Sequence, residues 1–486
     1  MPRVWYIKSY MLQFIKECEY IQIKEAGKII MTKAQRERDK KYKKFIFLSA
    51  YLLFVIIKLI TDLAHFNHNT NPSSPSWPGI LAPVTTIMMW CVCFVITATI
   101  RRRRIFQAKS VIFLFMGFSI WILWGAFANF SGLSFAGGWN AYREFLVLSV
   151  FTHVVFMTVK IVKIYRMKRQ FAAVTLIVLG AMLLYAFIAF FRGLDFIDSI
   201  YNLFKSGGRY RYAYGFRHVN TSGRLCVMFL IYTMIYRSVS EQDRAEHIIR
   251  SDYTILFAAM FPAVLIILLS SASRAAISAL ILFYCVYFVL RSYSHTQKYS
   301  QALYIIFVFA LIMSIIILID WQALWDIFWR SRGVNYVKSL PFLTDRNLVA
   351  AGVGMMKRGQ IDAYIGSGLM DSFYLTVLLQ TGIVGCIIFF GTVSIFVLIY
   401  FSDMKHMNRL QCLTGGLIAL IIYYGLFEGG MFFKNGPLDL MNWVFIITCM
   451  NEKKYNKTQG EIILCITAQS ISEITFLNGN TEKISF

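Results

Sequence analysis

Charge is what this sequence has least of: Asp, Glu, Lys and Arg make up 15% of its 486 residues, against 58% hydrophobic ones. No soluble domain of that size hides so much apolar surface in one core, so the shortage excludes a water-soluble globular protein and leaves lipid as the solvent. Acidic residues are the scarcer sign, 25 against 49 Lys and Arg. Those of the longest polar stretch, Asp326, Asp345, Asp362 and Asp371, lie scattered without ligand spacing, so no acid-rich metal cluster is expected. The nine cysteines fall mainly in apolar runs or in the C-terminal tail, and Cys91-x-Cys93 has the wrong spacing for zinc. Neither a structural disulfide nor a metal site is expected. A Walker A sequence, a dinucleotide fingerprint and a metalloprotease helix are all missing, and Gly352-Val353-Gly354 is too little to imply a phosphate loop. The chain is therefore not expected to use ATP or any cofactor.

What is present is long apolar runs. Mean hydropathy is +0.58 and aromatic residues reach 16%, as suits Trp and Tyr at headgroup level and Phe between helices. Runs long enough for a bilayer core, about 20 residues, fall near 45–60, 80–100, 110–130, 144–162, 171–191, 219–237, 253–270, 275–292, 301–320, 372–400, 411–428 and 437–450. The fold expected is an all-α, polytopic transmembrane helical bundle of about 12 helices. The first residues lack the apolar core of a signal peptide, so 1–44 is expected to be a basic cytoplasmic arm ending in Lys40-Lys41-Tyr42-Lys43-Lys44. A transmembrane domain over 45–450 follows, then a cytoplasmic tail over 451–486.

The formal net charge of +24 would suggest nucleic acid in a soluble protein. In a membrane protein it has a simpler source, Lys and Arg holding loops on the cytoplasmic side, so no nucleic-acid partner is expected. Arg101 to Arg104, Lys163 to Arg169, Arg237 to Arg250, Arg291 to Lys298 and Lys405 to Arg409 all fall on one side if both termini are cytoplasmic. The loop from His65 to Gly79, with no Lys or Arg, then lies outside.

Two outside stretches break the pattern. The one from Arg192 to Arg224 carries Arg192, Lys205, Arg209, Arg211, Arg217 and Arg224. The large external loop over 321–371, expected to be partly helical around Leu348 to Lys357, carries Arg330, Arg332, Lys338, Arg346, Lys357 and Arg358. Long loops translocate regardless of charge, but cations on the disfavoured side twice over point to an anionic ligand handled there. Arg274, inside Ser271-Ala272-Ser273-Arg274-Ala275-Ala276 between two apolar runs, sits at the outer membrane boundary. Such an arginine either snorkels to headgroups or faces a polar cavity.

Several separated segments then agree with one known pattern. They are Gly215-Phe216-Arg217-His218-Val219-Asn220, Ser271 to Ala276, Thr344-Asp345-Arg346, Asp371-Ser372-Phe373-Tyr374-Leu375 with Thr381-Gly382-Ile383-Val384-Gly385, and Gly425 to Glu428 with Pro437 and Trp443. In this order the chain resembles, over about residues 210–445, the O-antigen ligase and polymerase family, membrane proteins that join lipid-linked oligosaccharides on the outer face of the membrane. Ligases of that family typically have a histidine at or beside the position of Asp371, and this chain has none between His295 and His406. That departure favours a polymerase.

The resemblance implies a metal-independent membrane glycosyltransferase of the cell membrane. It would polymerise repeat units of a surface or capsular polysaccharide, moving the growing glycan from undecaprenyl pyrophosphate to an incoming unit. Arg274 and Arg346 would hold the pyrophosphate, and Asp371 would be the base for the acceptor hydroxyl or simply a helix cap. Arg211 and Arg217 would hold the second carrier or guide the anion, and His218, Asn220, Tyr374 and Glu428 would line the substrate site. Partners would be the undecaprenyl-pyrophosphate-linked oligosaccharide and membrane lipid, with room for other polysaccharide-export proteins. The alternatives are a ligase that passes the glycan to another acceptor, and a lipid-linked oligosaccharide flippase or other transporter; the absence of an internal repeat speaks against the transporter.

Overall fold

A computed structural model describes residues 33–61, 63, 77–100, 109–131, 139–190, 212–216, 218–245, 252–296, 337, 346–354, 372–427 and 436–450. In chain order the helices are α1 (Lys33–Ile60), α2 (Trp77–Thr99), α3 (Lys109–Phe130), α4 (Trp139–Ile164), α5 (Lys168–Phe190), α6 (Val219–Ala245), α7 (Thr254–Ala259) and α8 (Phe261–Ser270). They continue with α9 (Arg274–Thr296), α10 (Arg346–Ala351), α11 (Phe373–Phe401), α12 (Arg409–Phe427) and α13 (Pro437–Met450). Among the described residues there is no strand, only a bridge between Leu63 and Phe216. Among the described residues, six helices are long and apolar enough to cross a membrane: Val111–Phe130, Phe145–Ile164, Lys168–Phe190, Arg274–His295, Phe373–Phe401 and Arg409–Leu426. The chain is a helical membrane protein. Of the apolar runs read from the sequence, 301–320 lies outside the described residues, and the others fall on helices.

Lipid explains both the helices and their details. A backbone without water must satisfy its own N–H and C=O groups, and an α-helix does so within one segment. Hydroxyls inside the apolar runs bond back to the preceding turn: Thr152 to the Leu148 carbonyl at 2.8 Å, Thr233 to Phe229 at 2.8 Å and Thr392 to Ile388 at 2.7 Å. Ile188, Ile387 and Leu398 stand exposed on the bundle surface, where acyl chains rather than water solvate them.

The chain divides into two compact units, Met1–Ser49 and Ala50–Phe486. In the first, residues 33–49 form the basic half of α1, where Lys43 pairs with Asp39 at 2.7 Å and Lys40 with Glu37 at 3.6 Å. In the second, α6 is the central helix, buried along most of its length and packed by α5, α8, α9 and α12. Between helices in lipid the hydrophobic effect is weak, so close van der Waals packing by small residues does the work. Gly223 of α6 meets Ser273 and Ala276, and Gly416 of α12 meets Phe283 of α9. On the other side α3 and α11 share an aromatic seam, with Phe389 between Phe118 (5.7 Å) and Trp121 (4.9 Å).

The two ends of the second unit differ. At one end, ion pairs join α5 to α6 (Arg169 with Asp243), α6 to α12 (Glu241 with Arg409) and α6 to the start of α7 (Arg244 with Asp252). The other end gathers the starts of α6, α9 and α11 with neutral polar side chains and arginine.

Candidate functional site at one end of the bundle

The turn between α8 and α9 builds the centre of this end. Ser271 and Ala272 prolong the helical bonding, donating to Ile267 at 2.9 Å and Leu269 at 3.0 Å; then Ala272 takes φ 46° and turns the chain back. A left-handed alanine is strained, and such strain collects at functional sites. The fully buried serines around it are all engaged. Ser270 accepts from the Tyr214 hydroxyl at 3.1 Å, Ser271 donates to the Leu268 carbonyl at 2.7 Å, and Ser273 donates to Asn220 Oδ1 at 3.4 Å. Arg274 opens α9, partly exposed but with Nη1 shut off from solvent. One turn on, Ser278 donates to the Arg274 carbonyl at 2.7 Å and accepts from the Tyr423 hydroxyl of α12 at 2.8 Å. Arg274 thus starts from a rigid corner fixed by α6, α8 and α12.

The start of α6 supplies the facing wall. His218 precedes the helix and caps it: its carbonyl accepts from Thr221 at 2.9 Å and Nδ1 accepts from the Asn220 N–H at 3.2 Å, which requires Nδ1 to be unprotonated. Its ring is otherwise exposed. Asn220 is buried against Ser273, and Gly223 lets the two helices approach, since a Cβ there would lie 2.8 Å from that of Ser273. Asn220 is thus bonded to Ser273, the residue before Arg274.

A second construction holds residues 346–354 of the long loop. α10 runs from Arg346 to Ala351, earlier than the helix expected around Leu348 to Lys357, because Gly352 (φ 72°) and Gly354 (φ 102°) end it. Gly352-Val353-Gly354 is a backbone clasp. Val353 donates to the Leu379 carbonyl at 2.6 Å, and a Cβ on Gly352 would fall 2.5 Å from that same oxygen. The partner surface is a break in α11 at Gly382 (φ 64°, ψ −169°), whose own Cβ would fall 2.3 Å from the Ala350 carbonyl oxygen. The break is braced by α3, where Trp124 Nε1 donates to the Thr381 carbonyl at 3.0 Å and Trp121 Nε1 to the Thr381 hydroxyl at 3.3 Å. Two glycines interlocked backbone to backbone thus tie α10 to a broken membrane helix.

Other expected site residues take different places. Ser372, not Asp371, caps α11, with an extended backbone and its hydroxyl accepting from Leu375 N at 3.4 Å. The capping role weighed for Asp371 is thereby corrected, the shorter serine reaching the third amide from the right position. Tyr374 donates its hydroxyl to the Ile422 carbonyl and lays its ring over Gly425, bracing α11 on α12. Arg211, Arg217, Asp371 and Glu428 lie outside the described residues, as does the side chain of Arg346. Arg224, counted from the sequence with a basic external stretch, is instead in the second turn of α6, with Nε shielded from solvent. Lys58 and the buried Asp439 were not singled out at all, although each is the lone Asp, Glu, Lys or Arg of its apolar run. That isolation was a usable signal.

No protein-family model matches this sequence, and no curated protein and no solved structure matches it.

Proposed function

We propose that this protein is a membrane glycosyltransferase of the O-antigen polymerase type. It transfers a glycan from a polyprenyl pyrophosphate to the sugar of an incoming lipid-linked repeat unit. The observation that carries the reading is the hydrogen bond that ties Asn220 to Ser273, directly before Arg274, at one end of the bundle. A guanidinium anchored in a buried serine corner can neutralise a leaving pyrophosphate without a metal, and amide and hydroxyl groups beside it suit sugar hydroxyls. The lipid tail of such a substrate accounts for an enzyme embedded in the membrane.

In this reading the chain crosses the cell membrane twelve times with both termini cytoplasmic. The end rich in ion pairs faces the cytoplasm, because Lys163, Arg244, Lys405 and Arg409 lie there. The serine and arginine end faces out, together with α10 and the rest of the 321–371 loop. Cysteines introduced at Ser339 or Gly366 are expected to react with an impermeant thiol reagent in intact cells. Protection at both positions would reverse the orientation.

Arg346 is proposed to join Arg274 on the pyrophosphate and Asp371 to take the proton of the acceptor hydroxyl. Loss of one such charge-stabilising donor typically lowers a rate about 10²–10³-fold. Arg346→Ala is expected to leave single lipid-linked repeat units accumulating, with Lys357→Ala and Arg358→Ala nearly silent in the same polymer-length assay. Equal loss in all three variants would reduce the loop to a general basic surface.

A further inference from the structure

The basic half of α1 has no part in glycosyl transfer. Between Lys33 and Lys44 only Glu37 and Asp39 oppose a run of lysines and arginines. Helix stability does not call for them: the backbone dipole disfavours cations at a helix start, and the first turn of α1 has no acid to offset them. Retention on one side of a membrane calls only for cations near an apolar run, on whichever side of a helix they stand. In α1 they are sorted by side.

Arg38, Lys41, Tyr42 and Phe45 follow the i, i+3, i+4, i+7 spacing of one helix face. All four are exposed, Tyr42 at 64% and Phe45 at 69%. Both acids are engaged elsewhere, Glu37 with Lys40 at 3.6 Å and Asp39 with Lys43 at 2.7 Å. Lys40 and Lys43 belong to the opposite side of the helix, as does Phe47, which is fully buried. Arg38 and Lys41 form no ion pair among the described residues. The open face thus carries two cations, two aromatic rings and no carboxylate. Water solvates such rings poorly, and a purely aliphatic cover would not accept the cations.

Heights along the helix fit one layer of a bilayer. At about 1.5 Å per residue, Lys41 lies about 6 Å and Arg38 about 10 Å before Phe45, where the apolar run begins. Headgroups add roughly 5–8 Å on each side of the hydrocarbon core, within reach of both long side chains. We propose that this face docks on anionic phospholipid headgroups, with Arg38 and Lys41 on the phosphates and Tyr42 and Phe45 at the acyl boundary. The order favours lipid over an acidic protein: both cations precede both rings along the axis, a layering that a membrane surface imposes and a protein surface does not. The docking face depends neither on glycosyl transfer nor on which side of the membrane this end occupies.

The test places the purified whole chain in nanodiscs of phosphatidylcholine, with and without added phosphatidylglycerol, and follows backbone hydrogen exchange over residues 36–49. A cation at an anionic surface gains about fivefold in occupancy. Exchange is expected to slow by about that factor or more in the anionic discs. The difference should vanish near 1 M salt, where charges are screened beyond about 3 Å, and in the Arg38→Gln and Lys41→Gln double variant. The Lys40→Gln and Lys43→Gln double variant removes the same charge from the opposite side and is expected to keep the difference. Tyr42→Ser is expected to quicken exchange in both discs. Equal exchange of the unaltered chain in the two discs, whether slow as under a protein partner or fast as in water, overturns the proposal. So does equal loss in the two double variants, which would leave a diffuse positive charge and no face. No substrate enters the measurement, so failure of the polymerase reading leaves its outcome untouched.

Discussion

Arg274→Ala is expected to abolish polymer formation while the protein still inserts and folds. The guanidinium opens α9 at a corner whose backbone is already held: Ser271 bonds Leu268, Ser273 bonds Asn220, and Ser278 ties α9 to Tyr423. None of those bonds uses the arginine side chain, so all of them survive its removal. What is lost is fixed positive charge where a pyrophosphate would leave, for which the expected loss is about 10²–10³-fold or more. Arg274→Lys should rescue poorly, since a point charge replaces a planar fork. Polymer-length analysis together with membrane abundance checks this. Normal polymer from the alanine variant would mean that Arg274 only reaches for headgroups.

Gly382→Ala is expected to cost the most in stability of any single methyl added to the described glycines. Its backbone conformation is one that L side chains rarely adopt, a strain of roughly 1–3 kcal/mol. Its Cβ would also overlap the Ala350 carbonyl oxygen at 2.3 Å, which is backbone and cannot rotate away. The clasp must then open, releasing Val353 from Leu379 and α10 from α11. Gly391 in the same helix is the control, because nothing lies within 4 Å of a Cβ there. Gly391→Ala should be neutral or stabilising, by up to about 1 kcal/mol from helix propensity. Melting of the two variants in detergent decides the matter: equal melting temperatures would show that the interlock carries no load.

Most helices could be read because lipid leaves the backbone no alternative over long apolar runs. The break in α11 could not be. Thr381-Gly382 sits in a run as apolar as any other, and its cause lies far away in sequence, in Gly352 and in the indoles of Trp121 and Trp124. Arg224 was misplaced for a local reason: His218 starts α6 by capping it with an imidazole nitrogen, so the helix takes in an arginine that charge counting left with the loop. Arg274 and Asn220 stood out in separate motifs, and the bond between Asn220 and Ser273 depends on Gly223 admitting α9 against α6, which no local pattern announces. Ser372 taking the cap from Asp371 turned on a single position, below what sequence patterns resolve.

In the proposed function, this end of the bundle transfers sugars from a pyrophosphate carrier. The most direct measurement reconstitutes the purified chain in vesicles with a lipid-linked repeat unit and follows both product length and released undecaprenyl pyrophosphate. Elongating lipid-linked glycan is expected, with one carrier pyrophosphate freed per unit added and neither signal with Arg274→Ala. Movement of the lipid-linked unit across the vesicle membrane without elongation or carrier release would contradict it.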